Sequence, residues 1–221
     1  MKKVLILVAI LVIPSVYYIV VRSGKNNYKP LAYFGPKEPV VKTVNGKSIV
    51  DTIYHSVGGF SLLDQDSNVV TEKMVEGKIF VADFIYTSCK TVCSLMSNQL
   101  MSVQYKFKDS SDVKIVSFTI DPEFDTPAVL KEYAKKHQAI KDKWYFLTGD
   151  KKSINDLART SYFVSVFKGN ENDCVHSEQV VLVDKQHHIR GYYDGTDVME
   201  TKRLNEDIAT LLYEYAHPTT N

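Results

Sequence analysis

Cys89 and Cys93 are four residues apart, so on a helix they stand about one turn from each other and their sulfurs can meet on one face. Two thiols so placed either close to a disulfide or supply half of a metal site. The chain has three cysteines, too few for a disulfide framework, and the odd number leaves at least one thiol reduced, metal-bound or transiently paired. A further ligand is available in His176, within Asp173-Cys174-Val175-His176-Ser177-Glu178 and directly ahead of the apolar stretch 180–183. Cys, Cys and His form a soft to borderline donor set that suits Cu(I), whereas a structural zinc site wants four ligands. Cys174 is open to three readings: a third sulfur, a disulfide partner for Cys89 or Cys93, or a small apolar residue, which is the simplest.

The elements that must position these residues follow from hydrophobic period. Lys78–Tyr86 reads as a central strand that runs through Thr87-Ser88-Cys89 into a helical pattern. In that helix Cys93, Met96, Leu100, Val103 and Phe107 recur at spacings of 3, 4, 3 and 4, which gives one buried face. Thiols at a helix start are biased toward thiolate by the unpaired amides and the dipole. Asp83, six residues before Cys89, is either a buried carboxylate near the pair or, more simply, a strand Asp paired with backbone or a distant cation.

Around this unit the pattern predicts a hairpin from Phe60–Leu63 through a polar turn to Val69-Val70, and a strand over Val113–Ile120. Next come a helix capped by Thr126 with Pro127 at its first position, a strand over Trp144–Leu147 and a short helix over Ser153–Arg159. Strands over Val180–Val183 and Ile189–Tyr193 precede a closing helix over Asp197–Ala216, striped by Leu204, Ile208, Leu211, Leu212 and Tyr215. An early β–α–β followed by β–β–α is an α/β, thioredoxin-like arrangement, a mixed sheet between helices. There the loop entering the 180–183 strand faces the helix that carries Cys93. Thioredoxins place a cis-proline in that loop; this chain has no proline between Pro127 and Pro218, and His176 stands there instead. That speaks against a general thiol oxidoreductase, and Ala82 and Tyr86 do not fit the Pro and Thr of a peroxiredoxin site.

Weaker candidates have simpler explanations. Met96 and Met101 read as core residues, and His55, His137, His187 and His188 as solvated ones. Asp121, Glu123 and Asp125 fit an Asp-Pro turn and a helix start.

A chain of 221 residues with 44% apolar and 24% charged residues has room for one core and a membrane segment, and it is neither disordered nor collagen-like. Lys and Arg number 27 against 26 Asp and Glu, and without Lys2, Lys3 and Arg22 they number 24, which gives no basic surface for nucleic acid. Val4 to Val21 is an uncharged 18-residue run behind Lys2 and Lys3, so residues 1–22 are expected to form a retained N-terminal membrane-anchor helix rather than a cleaved signal. Residues 23–57, with Pro30, Pro36 and Pro39, read as a tether, and 58–217 as the folded domain. The expected location is the inner (cytoplasmic) membrane, single-pass, with the soluble domain facing the periplasm, where disulfides can form.

With these residues in place, the sequence resembles the Sco/SenC family of copper-binding assembly factors for cytochrome c oxidase. The resemblance covers about Gly58 to the C-terminus. It is carried by Phe84-Ile85-Tyr86-Thr87-Ser88-Cys89 with Cys93, by Asp121-Pro122-Glu123-Phe124-Asp125-Thr126-Pro127, and by His176-Ser177 followed by Val183-Asp184 and Arg190-Gly191-Tyr192-Tyr193. It implies copper held by Cys89, Cys93 and His176 and delivered to the CuA centre of oxidase subunit II. It also implies, as an alternative, a membrane-tethered thiol–disulfide reductase acting on that subunit's cysteines. The chain departs from the family in Lys90 and Ser94, where proline usually follows each cysteine, and in Val175, where an Asp commonly precedes the histidine.

Overall fold

A computed structural model describes residues 3, 12–19, 30–44, 47–89, 91–166 and 177–218. The chain divides into two compact units, Met1–Pro30 and Leu31–Asn221. In the first, residues 12–19 are helical. No helix among the described residues is long and apolar enough to cross a membrane, and residues 1, 2, 4–11 and 20–22 of the expected anchor lie outside them.

The second unit begins well before residue 58. Strands β1 (Lys37–Val44) and β2 (Lys47–Tyr54) pair antiparallel from Lys37↔Tyr54 to Val44↔Lys47, within the stretch expected as a tether. Val41 and Val50 face each other across the pair and are 66% and 70% exposed. The side chains of this hairpin whose burial is described are exposed or half-buried and carry no strong apolar alternation, and Pro39 is tolerated because each strand of a two-stranded sheet has an open edge. Bridges from Phe34 to Ile189 and from Ser56 to His188 tie both ends of this hairpin to the rest of the unit.

The short hairpin β3 (Ser61–Leu63) and β4 (Val69–Thr71) lies where the polar turn foretold it. Then follow β5 (Ile79–Ile85), α1 (Val92–Lys106), β6 (Val113–Thr119), α2 (Pro127–Lys136), β7 (Trp144–Leu147), α3 (Lys151–Asp156), β8 (Gln179–Val183), β9 (Ile189–Asp194) and α4 (Val198–Ala216). The five-stranded sheet has the order β7-β6-β5-β8-β9, with β5, β6 and β7 parallel and β8 and β9 antiparallel to their neighbours. All seven residues of β5 are buried, so both faces of this central strand are covered. Helices α1 and α4 pack on one another, and Met96, Leu100 and Val103 of the first and Leu204, Ile208 and Leu211 of the second are buried in the core. Each such side chain contributes about 1.5–3 kcal/mol by leaving water. Phe84 of β5 stacks on Phe118 of β6 with ring centres 5.2 Å apart, and Tyr162 meets Phe84 edge-on.

The helix start at Thr126 follows the sequence signal, and two others are capped by aspartates. The Thr126 hydroxyl accepts from Val129 N ahead of Pro127, Asp150 accepts from Ser153 N at 2.7 Å, and Asp197 from Met199 N at 2.7 Å. Beyond α3 the chain continues as a π-helical turn over Leu157–Ser161.

One histidine reading is corrected. His137 is 1% exposed, and burial lowers its pKa, so it is a neutral core residue at the end of α2, against Tyr133 at 4.5 Å. His55 is half-buried, its Nε2 lying 2.8 Å from the Ser161 carbonyl.

Candidate metal centre

The two described cysteines sit at the junction of β5 and α1, where the sequence pattern placed them. Cys89 N donates to the Tyr86 carbonyl at 3.2 Å, turning the chain out of the strand. Thr91 is the N-cap of α1, but its side chain does not cap the helix. That place is taken by sulfur: the Cys93 amide, second in the helix, donates to Cys89 Sγ at 3.4 Å. A helix-start amide aimed at sulfur suits a thiolate, whether as ligand or as nucleophile. Cys89 is 5% exposed and Cys93 wholly buried. Burial pushes the Cys93 thiol well above its ordinary range, the Tyr86 backbone opposes that, and the charges of Cys89 and Asp83 add to it.

Behind the pair lies a buried polar layer. Tyr133 of α2 donates from its hydroxyl to the Cys93 carbonyl at 3.3 Å and lies 2.9 Å from the Ser97 hydroxyl. Asp83 is fully buried; its Oδ1 accepts from the Ser117 hydroxyl at 2.5 Å, and the Ser117 oxygen accepts from the Trp144 indole at 2.9 Å. Among the described residues Oδ2 has no hydrogen-bond partner. Burial pushes the Asp83 carboxyl up to about 7, the Ser117 hydrogen bond working against it. The partner is thus a strand hydroxyl and not the backbone or cation of the simpler expectation.

The loop between β5 and Cys89 is held from a second strand end. Asp125, wholly buried, accepts from Thr87 N at 3.0 Å, from the Thr87 hydroxyl, and from the Thr119 hydroxyl at 2.5 Å. Thr119 Oγ1 in turn accepts from Asp121 N at 3.0 Å. Turn and helix-start chemistry alone, which the sequence suggested for Asp125, does not describe this residue: it joins two loops.

His176 and Cys174 lie outside the described residues, so the structure brings together two of the three expected donors and leaves the third unplaced. Among the described residues no group of three His, Cys, Asp or Glu could hold a metal ion. The two sulfurs, buried and at a helix start, are a fitting pair of donors for a soft ion. A cleft of about 720 Å³ is lined by Phe163, Ser165, Ser177, Glu178 and Tyr192, on both chain ends that flank the stretch with His176, and by neither cysteine. Met96 is fully buried and Met101 half-buried, as core residues should be. Thr87, Thr119 and Tyr133 were not foreseen as supports of the site.

A family model described as SCO1/SenC matches residues 52–213. The SCO1 protein homolog of Bacillus subtilis (strain 168) is 34% identical over 155 residues, which cover 69% of this chain and 80% of that protein. Of solved structures, BsSco, a member of the Sco family of cytochrome c oxidase assembly proteins with an identified disulfide switch, is 31% identical with a TM-score of 0.64, over 71% of this chain and 93% of its own. Arabidopsis thaliana ScoI with copper bound is 30% identical with a TM-score of 0.59, over 69% of this chain and 97% of its own. The family model covers most of the chain, and the chain belongs to the SCO1/SenC family.

Proposed function

We propose that this protein binds one Cu(I) through Cys89, Cys93 and His176 and hands it to the CuA centre of cytochrome c oxidase subunit II during assembly. The observation that carries the reading is the Cys93 amide on the Cys89 sulfur, which puts two soft donors together at a buried helix start. The copper in the Arabidopsis relative and the assembly role given to BsSco support it. Copper is cargo here: the chain's own part is to hold the ion on two reduced sulfurs and to release it by ligand exchange. Closing a Cys89–Cys93 disulfide would remove two donors at once. The basic start and the uncharged run from Val4 to Val21 support a single-pass anchor in the inner membrane, with the domain facing the periplasm.

Titration of the reduced full-length chain with Cu(I) tests this. One ion per chain is expected, with affinity falling on the order of a hundred-fold or more in Cys89→Ala and Cys93→Ala. His176→Ala should weaken binding while the circular dichroism stays unchanged. Near-stoichiometric binding that survives all three substitutions rejects the site. If His176→Ala binds copper as the wild type does, and reduces the disulfide of an isolated subunit II domain at the wild-type rate, the thiol–disulfide reductase reading replaces this one.

A further inference from the structure

We infer that Asp125 is a positioning residue for the metal centre: it fixes the loop that presents Cys89. This rests on the copper reading above. The carboxyl ends of the parallel strands β5 and β6 lead into two separate loops, one running to Cys89 and the other through Asp121 and Pro122 to α2. Between them the backbone is bonded from Ile120 N to the Ile85 carbonyl at 2.8 Å. Beyond that point the Asp125 side chain connects the two loops. It holds Thr87, two residues before Cys89, by both backbone amide and hydroxyl. Its other contact, the Thr119 hydroxyl, belongs to the last residue of β6, and Asp125 N donates back to the Asp121 carbonyl at 2.8 Å. One carboxylate therefore references the Cys89 loop to a strand that lies inside the sheet.

The arrangement needs both oxygens as acceptors. Oδ2 takes two donors, the Thr87 amide and the Thr119 hydroxyl, and Oδ1 takes the Thr87 hydroxyl. An amide NH2 in place of Oδ2 would face a backbone N–H, and in place of Oδ1 would force the Thr87 hydroxyl to reverse. Asp125 is wholly buried, so water cannot take over the lost contacts. With this link cut, the Thr87–Cys89 segment keeps the turn from Cys89 N to Tyr86 but loses the tie that Asp125 makes to β6. The sulfur of Cys89 then samples positions away from the Cys93 amide.

The test compares Asp125→Asn and Thr87→Val with Asp64→Ala in the full-length chain. Asp64 is also a buried carboxylate, but it holds the turn between β3 and β4 through Asp66 N and Asn68 N. Cu(I) affinity is read by competition with a chromophoric chelator. Asp125→Asn is expected to weaken it about ten-fold or more, the usual cost of losing a group that orients a ligand. Thr87→Val, which keeps the amide and loses only the hydroxyl, should weaken it by less, with melting temperature near wild type. Asp64→Ala should lower the melting temperature and leave affinity alone.

A second readout needs no copper. In equilibrium with dithiothreitol, the Cys89 and Cys93 thiols give up two electrons and two protons to oxidised dithiothreitol as their S–S bond forms. A ten-fold lower chance of the two sulfurs meeting raises the reduction potential of the pair by about 30 mV. If Asp125→Asn does not fold, Thr87→Val decides alone. Wild-type affinity and potential in the folded variants overturn the inference while wild-type copper binding through the cysteines keeps the functional reading standing. A wild type that does not bind copper overturns both.

Discussion

Replacing Arg190 with Ala is expected to remove about 3–5 kcal/mol of stability, measured by urea unfolding of the full-length chain. The guanidinium is 3% exposed and Nη1 donates to Asp184 Oδ2 at 3.0 Å, a carboxylate with no exposure at all. It has further acceptors: Nη2 reaches the Leu31 carbonyl at 2.8 Å and Glu214 Oε2 at 3.4 Å, and Nε reaches the Ala32 carbonyl at 3.2 Å. Tyr33 covers the guanidinium, its ring centre 4.2 Å from Cζ. Taking the cation away strands a buried carboxylate, and the Gln186 and His188 amides on Asp184 Oδ1 do not neutralise it. The same change releases the Leu31 and Ala32 carbonyls at the start of the folded unit. Arg190→Lys should recover only part of the loss, because one ammonium cannot span acceptors placed around a planar fork. A loss below about 1 kcal/mol, the usual value of an exposed pair, would show that the cluster is not desolvated as described.

The second large effect is one of pH. Asp83 holds its proton in the folded chain up to about pH 7, burial being the chief cause, whereas an unfolded Asp releases it near 3.8. Between those values the folded state binds more protons than the unfolded one, so this residue's contribution to stability declines as pH rises and is lost by the time pH passes the folded value. Asp83→Asn removes that slope. Going from pH 5 to pH 8, the wild type should lose about 3 kcal/mol more unfolding free energy than Asp83→Asn. Parallel curves for the two proteins would mean that Asp83 is ionised throughout and that its second oxygen has a partner.

The sequence made the sheet and its helices legible because burial imposes period. Lys78–Tyr86 could be read to within a residue of β5, and the 3–4 spacing from Cys93 to Phe107 follows the buried face of α1. The cap at Thr126 is local chemistry and was equally plain. The β1–β2 hairpin was not, since Val41, Val50 and Ile53 are exposed and give its strands no apolar signal. A sign was present in Asn45-Gly46, a dipeptide favoured in two-residue hairpin turns, between the two strands.

Of the candidate site, the cysteine pair was legible because strand end, helix start and ligand type coincide within a few residues. The buried state of His137 was hidden among the lysines at the end of α2. The bond from Thr87 to Asp125 spans 38 residues and depends on two strands being neighbours in the sheet, which no local pattern encodes.

X-ray absorption at the copper edge of the reduced, Cu(I)-loaded full-length chain reads the donor set itself. Two sulfurs and one imidazole nitrogen are expected, with one sulfur lost in each of Cys89→Ala and Cys93→Ala and the imidazole lost in His176→Ala. A wild-type spectrum without paired sulfurs, or one that keeps both sulfurs after either cysteine is removed, would contradict the assignment.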